Sequence, residues 1–407
     1  MAQQRLSSII GHFSSSSPSF LSKGPDDVVI VAAKRTPLTR AFKGGLANVQ
    51  QEDLLSAAFK GVIEASGVDP KLIEDIYVGN VLPPKGGATI CRMAQLHSGI
   101  PQECTLATVN RQCSSSLQAI SVIANAISSG DIDIGIGAGA ESMSNHYIAS
   151  TLPPGQKVSE EVISNPTALD CLMNMGDTSE NVSSDYNQDR ATLDRFAAKS
   201  YQKAEAAQRA GHFESEIVPV TVDGKQVRSD DGIRKGVTYE TLAKLKPAFK
   251  PDGCTTAGNA SQLTDGAAAV LLARRGVAKK LGLPILGKYV TLVTTGVPPR
   301  IMGVGPAYAV PKLLKKLGVS KNDIDFYEIN EAFASQAVMS IDHIGLDYAK
   351  VNPNGGAIAL GHPLGATGAR QVVTAFAHAK RTNTKTFIVS MCCGTGLGVA
   401  AAFVNEQ

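Results

Sequence analysis

Phe387-Ile388-Val389-Ser390-Met391-Cys392, near the end of the chain, repeats in plan a stretch far upstream, Ile136-Gly137-Ala138-Gly139-Ala140-Glu141-Ser142-Met143. Each opens on apolar or small residues that fit a strand buried on both faces, Phe387-Ile388-Val389 and Ile136-Gly137-Ala138-Gly139, and each then runs into a polar turn that holds Cys392 in one case and Glu141 in the other. A second pair matches in the same way: Val109-Asn110 and Val351-Asn352 each precede a turn and a helix. A strand and helix unit that occurs twice predicts an α/β fold made by duplication. Two similar halves packed about a pseudo-twofold axis bring corresponding turns face to face, so residues far apart in sequence can meet.

Working outward, folded sequence is expected to open after Asp26-Asp27 with the apolar run Val28-Val29-Ile30-Val31-Ala32-Ala33. A helical pattern follows from about Asp53 to Ala65, then strand-like Ile76-Tyr77-Val78-Gly79. From His146 to Asp252 the chain is more polar, with a helical stretch from Ala191 to Ala210, and reads as an insertion or cap rather than sheet. Small residues return at Thr255-Thr256-Ala257-Gly258-Asn259-Ala260-Ser261, ahead of a strand over Ala267 to Ala273. Strand-like Asp325-Phe326-Tyr327-Glu328-Ile329 leads to Asn330-Glu331-Ala332-Phe333 and a helix. The expected division is a tail over 1–25, a first half over 26–145 plus 255–285, a loop or cap domain over 146–254, and a second half over 286–407.

Composition excludes several classes. The 407 residues allow two or three domains, and 39 glycines suit many tight strand–helix turns. A net charge of +3 with no basic block argues against a nucleic-acid partner. No apolar run approaches the roughly 18 residues of a membrane span. Seven cysteines without a close-set framework point to free thiols in a reducing compartment. Adjacent Cys392-Cys393 lacks metal-ligand spacing and the histidines are scattered, so no metal site is expected.

The first 25 residues hold eight serines, Arg5, Lys23 and no acid, as a disordered targeting tail would. Within them Arg5-Leu6 and His12-Phe13 match the amino-terminal peroxisomal targeting nonapeptide. On a helix, Leu6, Ile9, Ile10 and Phe13 would offer an import receptor one apolar stripe. A mitochondrial presequence is the alternative, but it would carry more arginine. The C-terminal Asn405-Glu406-Gln407 is not a Ser-Lys-Leu address.

The chemistry-bearing residues stand at strand ends. Cys392 precedes the turn Gly394-Thr395-Gly396, where backbone N–H groups can hold a developing oxyanion. Cys113, in Asn110-Arg111-Gln112-Cys113-Ser114-Ser115, opens a helix, whose dipole and free N–H groups favour thiolate and lower the thiol pKa. Taken alone, either thiol could be an ordinary buried cysteine. His362 projects from a sharp turn between Gly361 and Pro363 and can take a thiol proton near neutral pH, although an isolated histidine there would read as a surface loop residue. Two thiols on two strand ends with a histidine between them suggest carbon–carbon bond chemistry on a thioester.

Taken together, Asn110-Arg111-Gln112-Cys113-Ser114-Ser115, Asn330-Glu331-Ala332-Phe333, Gly361-His362-Pro363-Leu364-Gly365 and Cys392-Cys393-Gly394-Thr395-Gly396 resemble the thiolase family, in order, from about Asp26 to the C-terminus. The degradative peroxisomal 3-ketoacyl-CoA branch is the most similar. That resemblance implies a duplicated βαβαβαββ core with five-layer αβαβα packing, an inserted loop domain and a homodimer or tetramer. It implies thiolysis of 3-ketoacyl-CoA by coenzyme A, with coenzyme A a substrate and no separate cofactor. Cys113 would be the nucleophile and Cys392 the acid/base. The N–H groups of Cys113 and Gly394 would form one oxyanion hole, and His362 with a water held by Asn330 the other. Ser261 would touch pantetheine, with Ala257 beside it; Met175, Phe249 and Phe333 would line the apolar groove, and Arg234 would meet the nucleotide. Asn330-Glu331 also reads simply as a helix N-cap and first-turn acid.

Rival readings are a biosynthetic acetoacetyl-CoA thiolase and a non-catalytic acyl-CoA-binding protein on the same fold. A decarboxylating ketoacyl synthase would need a histidine where Cys392 stands. Two positions depart from the family pattern. Ser116 replaces a glycine and is expected either to crowd the acyl pocket, narrowing chain length or turnover, or to bond back to its own helix. Cys393 replaces an aliphatic residue, which makes the choice between two sulfurs a matter of register.

Overall fold

A computed structural model of the chain describes residues 19–147, 152 and 155–407. The targeting-like segment from Arg5 to Phe13 lies outside them. The first half runs β1 (Val28–Arg35), α1 (Gln51–Ser66), β2 (Asp75–Gly79), α2 (Ala88–His97), β3 (Thr105–Val109), α3 (Ser115–Ser129) and β4 (Ile134–Ser142). An inserted region with α4 (Met175–Asp185), α5 (Arg190–Arg209) and a small hairpin (Val220–Val222 with Lys225–Val227) precedes β5 (Thr264–Arg274). Then come β6 (Gly287–Gly296), α6 (Gly305–Leu317), β7 (Phe326–Ile329), α7 (Ala334–Ile344), α8 (Thr367–Thr382), β8 (Thr386–Cys393) and β9 (Leu397–Asn405).

The duplication is visible in strand order. Hydrogen-bonded neighbours run β3-β2-β4-β5-β1-β6-β9-β8-β7, and the centre of that order is a short join, Val29 to Lys288 and Ile30 to Gly287. Outward from the join each half repeats itself. β5 pairs antiparallel with both β1 and β4, and then β2 and β3 add in parallel. Likewise β6, β9 and β8 are antiparallel, β7 is parallel to β8, and Val351 bridges in parallel onto Tyr327 of β7.

Three apolar clusters separate five layers. Leu54 and Phe59 of α1 and Cys91 and Ala94 of α2 pack on Ile76, Ile136 and Leu271. Between the sheets, Leu117, Ile120 and Ile123 of α3 and Val372 and Phe376 of α8 meet Ile30, Val270, Phe387 and Val389. Beyond the second sheet, Val310 and Leu313 of α6 and Ile341 of α7 cover Ile329 and Ile388. Each fully buried side chain of this size contributes about 1.5–3 kcal/mol. The middle layer matters most for the site, because its two helices start beside the two sequence motifs.

The insertion packs on both halves: Arg35 of β1 pairs with buried Glu216 and Asp230, while Leu193, Ala197 and Tyr201 of α5 pack with Val338 of α7 and Ile358 to Leu360. Two sequence expectations change. Ordered structure begins before Asp26. Ser19–Leu21 form a turn, the Ser22 carbonyl accepts from Lys288, and Lys23 pairs with Glu406 at 2.9 Å. Finally, β8 runs through both sulfurs rather than stopping short of them, so Cys392 and Cys393 point to opposite faces.

Candidate active site

The turn carrying Cys113 is stapled by its own polar side chains. Asn110 Oδ1 accepts from the Gln112 N–H (2.9 Å), Ser115 Oγ accepts from the Arg111 N–H (2.9 Å) and donates to the Gln112 carbonyl (2.5 Å). This lets Gln112 hold φ at 49°, which swings the next residue out of the strand line. Cys113 is half-buried just before the helix, with the N–H of Gly394 from the other half and its own N–H aimed at its sulfur.

Cys392 is fully buried, and its Sγ donates to Gln336 Oε1 at 3.4 Å. It sits in an apolar cluster with Met302 and Ala332, flanked by Met175 and Phe333. Cys393 faces the middle layer instead, with Sγ 3.0 Å from Ser114 Oγ. The alternation of a strand thus decides between the two thiols: Cys392 looks into the apolar groove, and Cys393 braces the cap of α3.

His362 hangs on β5 and α8. Its N–H donates to the Gln262 carbonyl (3.1 Å) and Thr264 Oγ1 (3.2 Å). Gly361 precedes it at φ 100°, and a Cβ there would stand 2.2 Å from Thr264 Oγ1, so no other residue fits. The imidazole Nδ1 lies 2.7 Å from Thr367 Oγ1, and Nε2 lies 3.4 Å from Asn330 Nδ2. With the amide donating, Nε2 keeps a lone pair and Nδ1–H donates to Thr367. Asn330 Oδ1 is buried without a partner among the described residues, ready for a polar ligand atom or a water.

Burial dominates the electrostatics. It pushes the Cys113 thiol up to about 12, with Cys393 next and the N–H groups of Gly394 and Cys113 pulling the other way. This corrects the expected lowering. A helix dipole contributes about 0.3–1 kcal/mol, below one pKa unit, whereas desolvation can shift a buried group by up to about 3–5 units. Burial and then the Cys113 charge raise Cys392 well above an ordinary thiol. His362 falls to about 3, through burial and then Arg370. The resting site is therefore neutral: two thiols and an uncharged imidazole. Because a charge on Cys113 raises Cys392, the second thiol is hard to ionise while the first is a thiolate. Once Cys113 is acylated and uncharged, that penalty on Cys392 disappears.

The expected groove comes together in part. Phe249 meets Phe333 edge-on at 6.4 Å, and Gly176, beside Met175, has room for no Cβ because the Phe249 ring lies against it. Ser261 N–H donates to the Ala332 carbonyl (2.9 Å), which puts Ser261 beside Phe333. Ala257 is exposed. Arg234 is also exposed; its loop is tied by Gln262, whose amide donates to the carbonyls of Gly232, Ile358 and Ala359, and its charge reaches Tyr201.

Sequence reasoning missed three supports. Gln336 faces Cys392, Thr367 orients His362, and buried Glu141 accepts from Val81 N–H (3.1 Å), Leu82 N–H (3.1 Å) and Gly365 N–H (2.8 Å). Glu141 latches the histidine turn of the second half to the first half, and burial raises its carboxyl to about 7. Gly139 permits the approach, since a Cβ there would stand 2.3 Å from the Gly365 carbonyl. Ser116, expected in the acyl pocket or on its own helix, does neither: its buried Oγ accepts from the Ala369 N–H (2.9 Å) in the first turn of α8.

A two-thiol site where two copies of one α/β unit meet defines the class. The chain belongs to the thiolase family: the model of the thiolase N-terminal domain matches residues 28–276 and that of the C-terminal domain residues 283–405. It is 53% identical to the peroxisomal 3-ketoacyl-CoA thiolase of Yarrowia lipolytica over 394 residues, 95% of this chain and 94% of that one. Among solved structures, the dimeric peroxisomal thiolase of Saccharomyces cerevisiae superposes with a TM-score of 0.92 at 51% identity, covering 95% of this chain and all (100%) of that one. Human mitochondrial 3-ketoacyl-CoA thiolase in complex with CoA gives 0.86 at 35% identity, covering 93% and 98%.

Proposed function

We propose that this protein is a 3-ketoacyl-CoA thiolase, cleaving 3-ketoacyl-CoA with coenzyme A to acetyl-CoA and a shortened acyl-CoA. The observation that carries the reading is the meeting of Cys113, Gly394 and Cys392, with His362 and Asn330 on the elements beside them.

The neutral resting site sets the order of events. The Cys113 proton passes to the lone pair of His362 Nε2 as sulfur attacks the 3-keto carbon, so no free thiolate need form first. The protonated Nε2 then becomes a donor for a thioester oxygen, while the N–H groups of Cys113 and Gly394 face the other oxyanion. Cleavage of the carbon–carbon bond leaves acyl-Cys113 and an acetyl-CoA enolate, which takes its proton from Cys392. The Cys392 thiolate removes the proton of the incoming coenzyme A thiol, whose sulfur attacks the acyl group. Release of Cys113 as thiolate recovers the proton from His362, and no proton is gained or lost overall.

Met175, Phe249, Ser261 and Phe333 suit pantetheine, and Arg234 with Ala257 the outer part of the nucleotide. The mirrored strand order supports the division into halves over 26–145 plus 255–285 and 286–407, with 146–254 as a cap. The names of the relatives support a peroxisomal homodimer working in fatty-acid breakdown, delivered by an import receptor, rather than a biosynthetic acetoacetyl-CoA thiolase. The test is thiolysis by purified protein across acetoacetyl-, medium- and long-chain 3-ketoacyl-CoA. Binding without cleavage, or cleavage of acetoacetyl-CoA alone, would overturn the reading.

A further inference from the structure

Where the inserted helix α5 lies on the second half, it leaves a cleft that the proposed reaction does not use. The cleft runs between α5, α7 and the short turn Tyr348–Lys350, and its volume is about 450 Å³. Apolar side chains make most of its walls, with Phe196, Val338, Tyr348 and Val351 among them. Phe196 and Tyr348 meet edge-on at 6.2 Å and form one corner. The cleft shares no lining residue with the groove of Met175, Phe249, Ser261 and Phe333.

Its charge is one-sided. Arg195, Lys199 and Lys203 line it from successive turns of one face of α5. Like charges four residues apart weaken a helix, so an anion beside the row would relieve it. Arg195 lies over the Tyr239 ring at 4.9 Å, and Lys199 is exposed. Lys203 turns inward rather than out to water. Its ammonium donates to the carbonyls of Val351 (2.8 Å) and Tyr348 (3.3 Å), which leaves one of its three N–H donors for a ligand. Glu331 is the one acid among the described lining residues. It is 2% exposed, and its oxygens accept from Ser200 Oγ (2.6 Å), Asn352 Nδ2 (2.8 Å) and the Ile358 N–H (3.3 Å). Three cations against that one acid leave the lining net positive.

An apolar cleft with a cationic side matches a ligand that has a hydrocarbon body and one anionic end. We propose that this cleft binds a medium-chain fatty acid, its alkyl chain against Phe196, Val338 and Val351 and its carboxylate at Lys199 and Lys203. A methylene fills about as much space as a water, about 30 Å³, so a chain of roughly eight to twelve carbons fits with its carboxylate. The volume also falls within the range of about 300–1,000 Å³ common to small-molecule sites. Glu331 directly follows Asn330, so the ligand would lie at the back of the turn that faces His362.

Calorimetric titration of the full-length protein, saturated with coenzyme A to occupy the reaction groove, is the test. Octanoate and decanoate should each fill one site, the longer chain binding about tenfold more tightly for its two added methylenes. Decyltrimethylammonium, with the same tail and the opposite charge, should bind at least tenfold more weakly than decanoate. Lys199→Glu, at an exposed position, should weaken decanoate by about five- to tenfold. Ala349→Trp fills the cleft from its exposed rim and should abolish binding, with folding of both variants checked by circular dichroism. A diazirine-bearing decanoate should photolabel peptides of α5 or of the Tyr348–Lys350 turn. Labelling at Phe249 or Phe333, equal binding of the cationic probe, or undiminished decanoate binding in the folded variants would overturn the proposal.

Discussion

The two halves share a plan and divide the labour crosswise. In the first half the turn after Val109 carries the nucleophile candidate Cys113, while the matching turn after Val351 supplies Asn352, whose amide only braces Ile329 and Glu331. At the ends of the paired strands the assignment reverses. Glu141 and Ser142 on β4 are structural, and Glu141 latches the halves together, whereas the end of β8 presents Cys392 and the turn after it the N–H of Gly394. A duplicated unit thus keeps one reactive turn and one reactive strand end, and turns their counterparts into supports.

Removing chemistry from β8 should have the largest effect. Cys392→Ser should lower thiolysis by roughly 10²–10⁴-fold, the usual contribution of an acid/base group, while Cys393→Val, on the opposite face, should stay within several-fold. The reverse ranking in a steady-state assay would mean the groove-facing sulfur had been misassigned. On the first-half side, burial holds Cys113 as a thiol. Its alkylation by iodoacetamide, followed by mass spectrometry of its own peptide, should climb about tenfold per pH unit from 7 to 9 without levelling. A plateau below pH 8 would restore the helix-end effect as the dominant influence.

The supports should answer in stability. Glu141→Ala strands the N–H groups of Val81, Leu82 and Gly365; it should cost about 3 kcal/mol or more in unfolding and lower turnover by loosening the His362 turn. If turnover survives a clear drop in melting temperature, the latch does not govern the histidine. Smallest of all, Ser116→Gly removes the acceptor of the Ala369 N–H and should cost about 1 kcal/mol while leaving the chain-length profile unchanged. A broadened profile would put the hydroxyl back in the acyl pocket.

The duplication and the motif order could be read from Val28, Ile76, Val109 and their later counterparts, because buried strands and the turns that follow them leave local patterns. What escaped was set by tertiary approach. Glu141 looked like a polar turn residue, yet it is strand, and its three donors come from two distant segments. Gln336 and Thr367 are ordinary helix-start residues until β8 and the Gly361 turn arrive beside them. The Cys113 expectation failed for a physical reason of the same sort: the helix end is local and visible in sequence, while the burial that outweighs it is not.

The salt links at the chain's ends have a practical consequence. Arg275 grips both Asp27 and Glu406, and Lys23 adds to the same knot. Strand register places that knot at the Thr386 end of β8, while Cys393 is paired at the other end. At about 3.3 Å per residue the separation is roughly 25 Å. A surface tether or fused reporter attached at Gln407 therefore leaves from a spot remote from the thiols, and should let immobilised protein keep its groove open to solution.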